Sequence, residues 1–162
     1  MARSVLVIGY GNDLRGDDAA GPMVAGAVAS RRWRGVRAMT VRQLTPEYAA
    51  PVAAAKSVVF VDAYPAKPYS RTRWISLAAN QHNPVQRSPV MGHSFHPGRL
   101  LDMALTCYGR RPEAWLIAIP GRSFELGKTL SPAAKRGVKT ALRMIEQRLD
   151  LVRRKTARFP TR

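Results

Sequence analysis

Residues 5–21 read VLVIGYGNDLRGDDAAG, and this stretch decides the fold. The unbroken apolar run at 5–8 is typical of a strand that is buried on both faces of a parallel sheet. Gly9 and Gly11 end the run, and a turn then leads to two adjacent acids, Asp17 and Asp18. These acids follow the carboxyl end of the strand, which is where open α/β sheets place their ligands. The stretch therefore predicts an α/β fold with a candidate site at this edge.

Outward from this stretch, strand and helix patterns alternate along the chain. Apolar residues at helical spacing predict helices over 19–32, 100–108 and 132–149, and a shorter helix that ends near residue 55. Apolar and β-branched runs predict strands at 36–41, 58–61 and 115–119 and an edge strand at 73–77. Loops are predicted at 64–69 and 80–91. Such alternation predicts a three-layer α/β/α sandwich around a parallel-rich, twisted sheet of about five strands.

The length and composition predict how the chain is divided. With 162 residues, 46% of them hydrophobic, we expect one domain over 1–150 and a basic, flexible tail over 151–162. The apolar stretches are far shorter than the roughly 20 residues of a membrane-spanning helix, and the first residues lack a secretory-signal pattern. The expected location is therefore cytoplasmic.

The single cysteine, Cys107, is predicted to pack as a buried thiol on a helix face.

The charge balance is strongly basic. Lys and Arg number 27 against 10 Asp and Glu, a net charge of +17. Such a charge is compatible with nucleic acid, an anionic surface or an acidic protein partner. The basic residues are scattered, however, and no RNP-like, helix-turn-helix or zinc-finger pattern accompanies them. The sequence therefore favours an arginine-rich surface with a basic tail over a nucleic-acid site.

The turn after the first strand resembles a dinucleotide-binding turn only in part. That fingerprint needs a third glycine at position 14, where this chain has Leu14. An acid pair at the start of the next helix would also repel a phosphate group. The sequence contains neither a P-loop nor the Gly-x-Ser-x-Gly elbow of serine hydrolases. These classes of site are therefore disfavoured.

A metal site is better supported. Asp18, Asp62 and His93 come from three separate segments, and the two acids each follow a predicted central strand. Two carboxylates and an imidazole suit zinc, nickel or a similar divalent ion. Three protein ligands would leave positions open for a substrate. Purely structural roles remain open from spacing alone: Asp18 could cap the first helix, Asp62 could simply end a strand, and His93 could be solvated in a loop.

Three ordered motifs carry a resemblance to a known family. They are the string GYGNDLRGDD at 9–18, the strand at 58–63 that contains Asp62, and Gly92-His93 before a Pro-x-x-Leu-Leu helix. Together they resemble the hydrogenase maturation proteases, the nickel-dependent endopeptidases that trim the large subunit of [NiFe] hydrogenases. The resemblance covers nearly all of the chain except the basic tail. It implies the same α/β fold and an endopeptidase activity.

The resemblance also implies a site and a substrate. Asp18, Asp62 and His93 match the positions that contact metal and carry the catalysis; some members of the family have glutamate where this chain has Asp18. The implied partner is a [NiFe] hydrogenase large-subunit precursor that carries the nickel, and the enzyme removes its C-terminal extension. Without that nickel, the site could hold another divalent cation. Asp17 is predicted to orient the turn and cap the helix, and His96 to begin the next helix rather than bind metal.

Two other classes of function stay open. One is a non-catalytic protein of the same fold that docks onto a hydrogenase precursor. The other is a basic nucleic-acid-binding domain, which would show binding that weakens steeply with salt. Residues able to bind metal fill all three implied positions, which favours the enzyme over both.

Overall fold

A computed structural model describes residues 4–78 and 95–158 of the chain, with side chains described up to residue 149. Five strands form one sheet in the order β2-β1-β3-β5-β4. The strands are β1 (Val5–Tyr10), β2 (Val36–Val41), β3 (Ser57–Pro65), β4 (Arg73–Ser76) and β5 (Glu113–Gly121). All neighbouring strands are parallel except β4, which runs antiparallel to β5 at one edge. The predicted parallel-rich sheet of about five strands is confirmed.

Helices cover both faces of this sheet. They are α1 (Ala20–Arg31), α2 (Ala49–Ala54), α3 (Pro97–Tyr108) and α4 (Pro132–Arg158). One buried cluster joins α1 and α4 to the sheet, and a second joins α2 and α3 to its opposite face. The predicted three-layer α/β/α sandwich is therefore confirmed.

The alternation of side chains along the strands decides which residues share a face. On β3, Val59 and Val61 pack against α1 and α4, whereas Phe60 packs against α2 and α3. Asp62 is two residues beyond Phe60 and so belongs to the α2 and α3 face. Tyr10, the last residue of β1, is buried on the same face.

Several element boundaries differ from the predictions. Strand β3 continues to Pro65, into the predicted loop at 64–69. A short 3-10 turn, Gly16–Ala19, contains the acid pair and precedes α1, and the sequence pattern did not predict it. Helix α4 runs on to Arg158, whereas the pattern predicts an end at 149. The flexibility of 151–162 stays a prediction, and the predicted loop at 80–91 lies outside the described residues.

The prediction that Cys107 is buried is wrong. Helix α3 buries Leu100, Leu101 and Ala104, but its last turn extends beyond the core. Leu105 and Cys107 are both exposed there. Helical spacing predicted the buried face correctly and could not show where the core ends.

No helix in the described part of the chain is long and apolar enough to cross a membrane.

Candidate functional site

The carboxyl edge of the sheet brings two of the predicted site residues together. Strands β1 and β3 are parallel neighbours. Asp62 lies near the end of β3, and Asp18 follows the turn that leaves β1. The two carboxylates are close enough for the charge on Asp18 to raise the pKa of Asp62. The pairing expected from the sequence is thus present in the fold.

A tight turn fixes Asp18. The backbone N–H of Asn12 donates to Oδ2 of Asp18 at 2.7 Å. Gly11 has a φ of +145°, and its Cα lies so close to the backbone carbonyl of Asp18 that a side chain would overlap that oxygen. The Asp18 carboxylate therefore faces back toward the turn. It does not cap the first helix, so that structural alternative is wrong.

The side chain of Asn12 is fixed in turn by two donors. Its Oδ1 accepts a hydrogen bond from the backbone N–H of Leu14 at 3.0 Å and another from the Arg42 guanidinium at 3.3 Å. Arg42 directly follows β2, so two neighbouring strand ends support the turn. The Asn12 N–H is thereby held in line with Asp18, which argues for a fixed position of the Asp18 carboxylate.

Asp62 has an unusual ionisation. Burial raises the pKa of its carboxyl to about 7, the Asp18 charge adds to the rise, and hydrogen bonds from Tyr10 and from the N–H of Ala63 only partly oppose it. The Ala63 N–H donates to Oδ1 at 2.8 Å. A carboxyl that titrates near neutral pH is suited to exchange a proton during a reaction.

Tyr10 is a site residue that the sequence reasoning missed. Its hydroxyl donates a hydrogen bond to the Asp62 carboxylate, and its ring is buried beside that residue. Burial, followed by the Asp62 charge, raises the pKa of Tyr10 well above its ordinary value. The phenol therefore stays protonated and available as a donor. The available signal was an aromatic residue at the end of β1, inside the Gly-Tyr-Gly turn.

We expect Tyr10→Phe to raise the pKa of Asp62 further, because the lost hydrogen bond favours the charged carboxylate. A carbon-13 NMR titration of the Asp62 carboxyl group measures this directly. The matched control is Tyr64→Phe, which removes a hydroxyl that donates to the carbonyl of Arg71 at 3.0 Å. An unchanged Asp62 titration in Tyr10→Phe would contradict the assigned hydrogen bond.

Asp17 has a different environment from Asp18. It is completely buried, and it accepts four hydrogen bonds. The donors are the backbone N–H groups of Arg122 at 2.6 Å, Ser123 at 3.1 Å and Ser131 at 2.6 Å, and the Ser131 hydroxyl at 2.6 Å. Burial alone would raise the pKa of Asp17, but these bonds outweigh it and the pKa is lowered. All its partners come from distant segments, so the prediction that Asp17 caps its own helix is wrong.

The segment after β5 packs against the acidic turn. The N–H of Gly16 donates to the carbonyl of Gly127 at 2.8 Å, and the N–H of Gly127 donates to the carbonyl of Leu14 at 2.9 Å. The Arg15 side chain donates to the carbonyl of Phe124 at 3.1 Å. Together with Asp17, these bonds hold the turn and the start of α4 in one rigid unit beside Asp18.

The histidines are only partly described. Nδ1 of His96 accepts a hydrogen bond from the N–H of Gly98 at 3.1 Å and caps α3, which confirms the predicted helix start. Burial lowers the pKa of His96, which favours the neutral ring that this acceptor role needs. His93 lies outside the described residues. Within 4–78 and 95–158, no three His, Cys, Asp or Glu side chains form a group that could hold a metal.

Several solved structures share this fold. The [NiFe] hydrogenase maturation protease HybD from Thermococcus kodakarensis matches with a TM-score of 0.70 and 23% identity, over 89% of this chain and 97% of that chain. The hydrogenase maturating endopeptidase HybD from E. coli matches with a TM-score of 0.67 and 22% identity, over 94% and 93%. HycI, a [NiFe] hydrogenase maturation protease from Thermococcus kodakarensis KOD1, matches with a TM-score of 0.67 and 22% identity, over 90% and 91%.

No model of a protein family matches the sequence, and neither does any curated protein. The structural matches nevertheless extend over nearly the whole chain, and they agree with the resemblance that the three motifs carry. The chain therefore has the fold of the [NiFe] hydrogenase maturation proteases.

Proposed function

We propose that this chain is an endopeptidase that removes the C-terminal extension of a nickel-loaded [NiFe] hydrogenase large-subunit precursor. The observation that carries the proposal is the convergence of Asp18 and Asp62 at the carboxyl edge of the sheet. Asp18 is fixed by the turn at Gly11 and Asn12, and Asp62 has a pKa of about 7. The fold shared with HybD and HycI supports the same conclusion.

The donor set suits a cation. Asp18 raises the pKa of Asp62 because two negative charges lie close together, and a divalent ion between them would relieve that repulsion. Carboxylate oxygens combined with an imidazole accommodate nickel as well as zinc. The nickel belongs to the substrate in this proposal, so binding at these residues would test whether the precursor is loaded.

His93 is proposed as the third ligand, and the direction of α3 supports it. Only four residues separate the end of α3 from the start of β5, so the helix packs antiparallel to that strand and begins near the strands' carboxyl ends. The chain therefore enters α3 at the edge where Asp62 lies. Phe95 follows His93 by two residues in the sequence and packs against the core at this entry.

The remaining chemistry is assigned to this chain's own residues. Asp18 and His93 would orient the loaded centre of the precursor beside the bond to be cut. In the metal-free protein the pKa of Asp62, about 7, leaves both ionisation states populated at neutral pH, and Asp62 would release its proton as the loaded centre binds, because a nearby cation favours the charged carboxylate. The substrate's metal would supply polarisation of the scissile carbonyl or activation of a water molecule.

A nickel-dependent cleavage assay tests the proposal. A large-subunit precursor is prepared with and without nickel and incubated with this protein, and its mass is then measured by mass spectrometry. We expect loss of C-terminal mass only from the loaded precursor, and Asp18→Asn or His93→Ala should slow it about 100-fold or more. The matched control is Asp13→Asn, an exposed acid of the same turn, which should cleave at the wild-type rate.

Two results would contradict the proposal. One is unchanged cleavage by His93→Ala. The other is the failure of wild-type protein to cleave any loaded precursor; tight binding without cleavage would instead assign the docking role.

A further inference from the structure

The outer edge of β2 is open. Strand β2 pairs with β1 on one side, and among residues 4–78 and 95–158 no strand pairs with it on the other. The edge of a sheet presents unpaired backbone N–H and C=O groups that can pair with another extended chain.

An open groove of ≈ 640 Å³ follows this edge, which we call the β2 groove. Ala29 and Arg32 line it from the end of α1, on one face of the sheet, and Pro51 of α2 lines it from the other. Val36 and Met39 of β2 are half-buried and provide apolar surface between them. The groove therefore crosses the edge, and neither flanking helix covers it.

The rim of the β2 groove is positive. Arg32 and Arg37 line it and are exposed. Arg31 adds a further charge beside the rim, with its guanidinium 5.5 Å from the ring centroid of Trp33. No acidic residue within the described ranges lines the groove. These arginines are therefore available to an acidic partner.

We infer that the β2 groove binds an extended acidic segment of a partner protein, which adds to the sheet beside β2. Main-chain hydrogen bonds to the edge would position the segment. Its apolar side chains would pack on Val36 and Ala38, which share one face of the sheet, and its acidic side chains, on the opposite face, would pair with Arg37. Arg32, at the end of α1, adds to the positive charge of the rim.

Other occupants fit less well. Two copies of this edge would bring the arginines of both copies together, and like charges repel. A nucleic acid would satisfy the charges but would leave the unpaired backbone and the apolar surface without partners. Arg31 lies over the ring of Trp33, the aromatic residue that lines the groove, and would compete with a base for that face of the ring.

This inference is independent of the proposed protease function. The β2 groove lies along one side of the sheet, whereas Asp18 and Asp62 lie at its carboxyl end. A partner bound there could be the substrate or another protein.

Fluorescence polarisation tests the inference. The probe is a short fluorescein-labelled peptide that alternates Glu and Val, and a peptide that alternates Lys and Val is the matched control. We expect the Glu/Val peptide to bind wild-type protein, and binding to weaken about tenfold or more when Arg32 and Arg37 are both replaced by Glu. Peptide binding is also measured for Arg37→Glu alone. Arg32 has a left-handed φ of 48°, so its replacement strains the turn, whereas Arg37 lies in β2.

A control variant separates the groove from the general positive charge of the protein. Arg136→Glu combined with Arg143→Glu makes the same charge change on exposed positions of α4. This variant should bind the Glu/Val peptide within about threefold of wild type, because charges far from the groove are screened by salt. Hydrogen exchange of the β2 amides should also slow when the peptide is bound.

Three results would overturn the inference. They are the absence of binding to the Glu/Val peptide, equal weakening in the groove and α4 variants, and peptide binding without protection of the β2 amides. Single-stranded DNA that protects β2 and competes with the peptide would assign the groove to nucleic acid instead.

Discussion

Asp17→Ala is expected to lower the free energy of unfolding by about 3–5 kcal/mol. Asp17 is the only fully buried polar or charged residue in the described part of the chain. Removing its carboxylate would leave three backbone N–H groups and the Ser131 hydroxyl without their acceptor. It would also open a void between the acidic turn and α4. Urea unfolding at neutral pH measures the loss.

The same carboxylate should make the protein sensitive to acid. The pKa of Asp17 is lower in the folded chain than in the unfolded chain. Its stabilising contribution is therefore complete above the unfolded pKa, near 4, and is lost as the pH falls through the folded value. Unfolding free energies measured from pH 6 downward should fall more steeply for wild type than for Asp17→Asn.

Two comparisons make the Asp17 assignment testable. Asp13→Asn changes an exposed acid of the same turn and should alter the unfolding free energy by less than about 0.5 kcal/mol. Asp17→Asn keeps one acceptor oxygen but turns an NH₂ group toward backbone donors, so it should be intermediate. Equal stability of Asp17→Ala and Asp13→Asn would show that the network contributes little. Cleavage by Asp17 variants has to be compared at equal folded fraction.

The fold was predictable because its signals are local. The apolar run of β1, the run of β3 and the helical spacing of α3 each depend on neighbours in the sequence. The same local logic predicted that Asp18 and Asp62 would meet, because parallel strands carry both residues to one edge. The closeness of the two carboxylates in the fold agrees with that prediction.

The roles of the neighbouring residues could not be predicted in this way. The donors to Asp17 lie 105 to 114 residues away in the sequence, and no local pattern links them to the turn. The bond between Tyr10 and Asp62 depends on the register of β1 against β3. The end of the core at the last turn of α3, which exposes Cys107, likewise depends on tertiary packing.

Asp62→Asn is expected to stabilise the metal-free protein at pH 8 while it abolishes cleavage. The folded pKa of Asp62 is about 7, well above the ordinary value of 3.8. Between these values the folded protein holds a proton that the unfolded chain has released. The stability of wild type therefore falls as the pH rises from about 4 to about 7 and then levels off. Asparagine does not ionise and avoids this loss.

Urea unfolding at pH 5 and pH 8 without divalent cations measures the difference. At pH 8 the variant should be more stable than wild type by about 2–4 kcal/mol, and the gap should narrow at pH 5. Adding nickel or zinc at pH 8 should stabilise wild type more than the variant, because a bound cation favours the charged carboxylate. A variant no more stable than wild type at pH 8 would contradict the raised pKa.

The expected gain in stability bears on function. A neutral side chain at position 62 would fold as well or better, since ionised Asp62 is half-buried and close to Asp18. A residue that costs stability at neutral pH indicates a role other than folding. If Asp62→Asn is more stable than wild type but fails to cleave a nickel-loaded precursor, loss of folding cannot explain the lost activity. The lost cleavage would then be explained by the missing carboxylate. This agrees with the role that the proposed mechanism gives to Asp62.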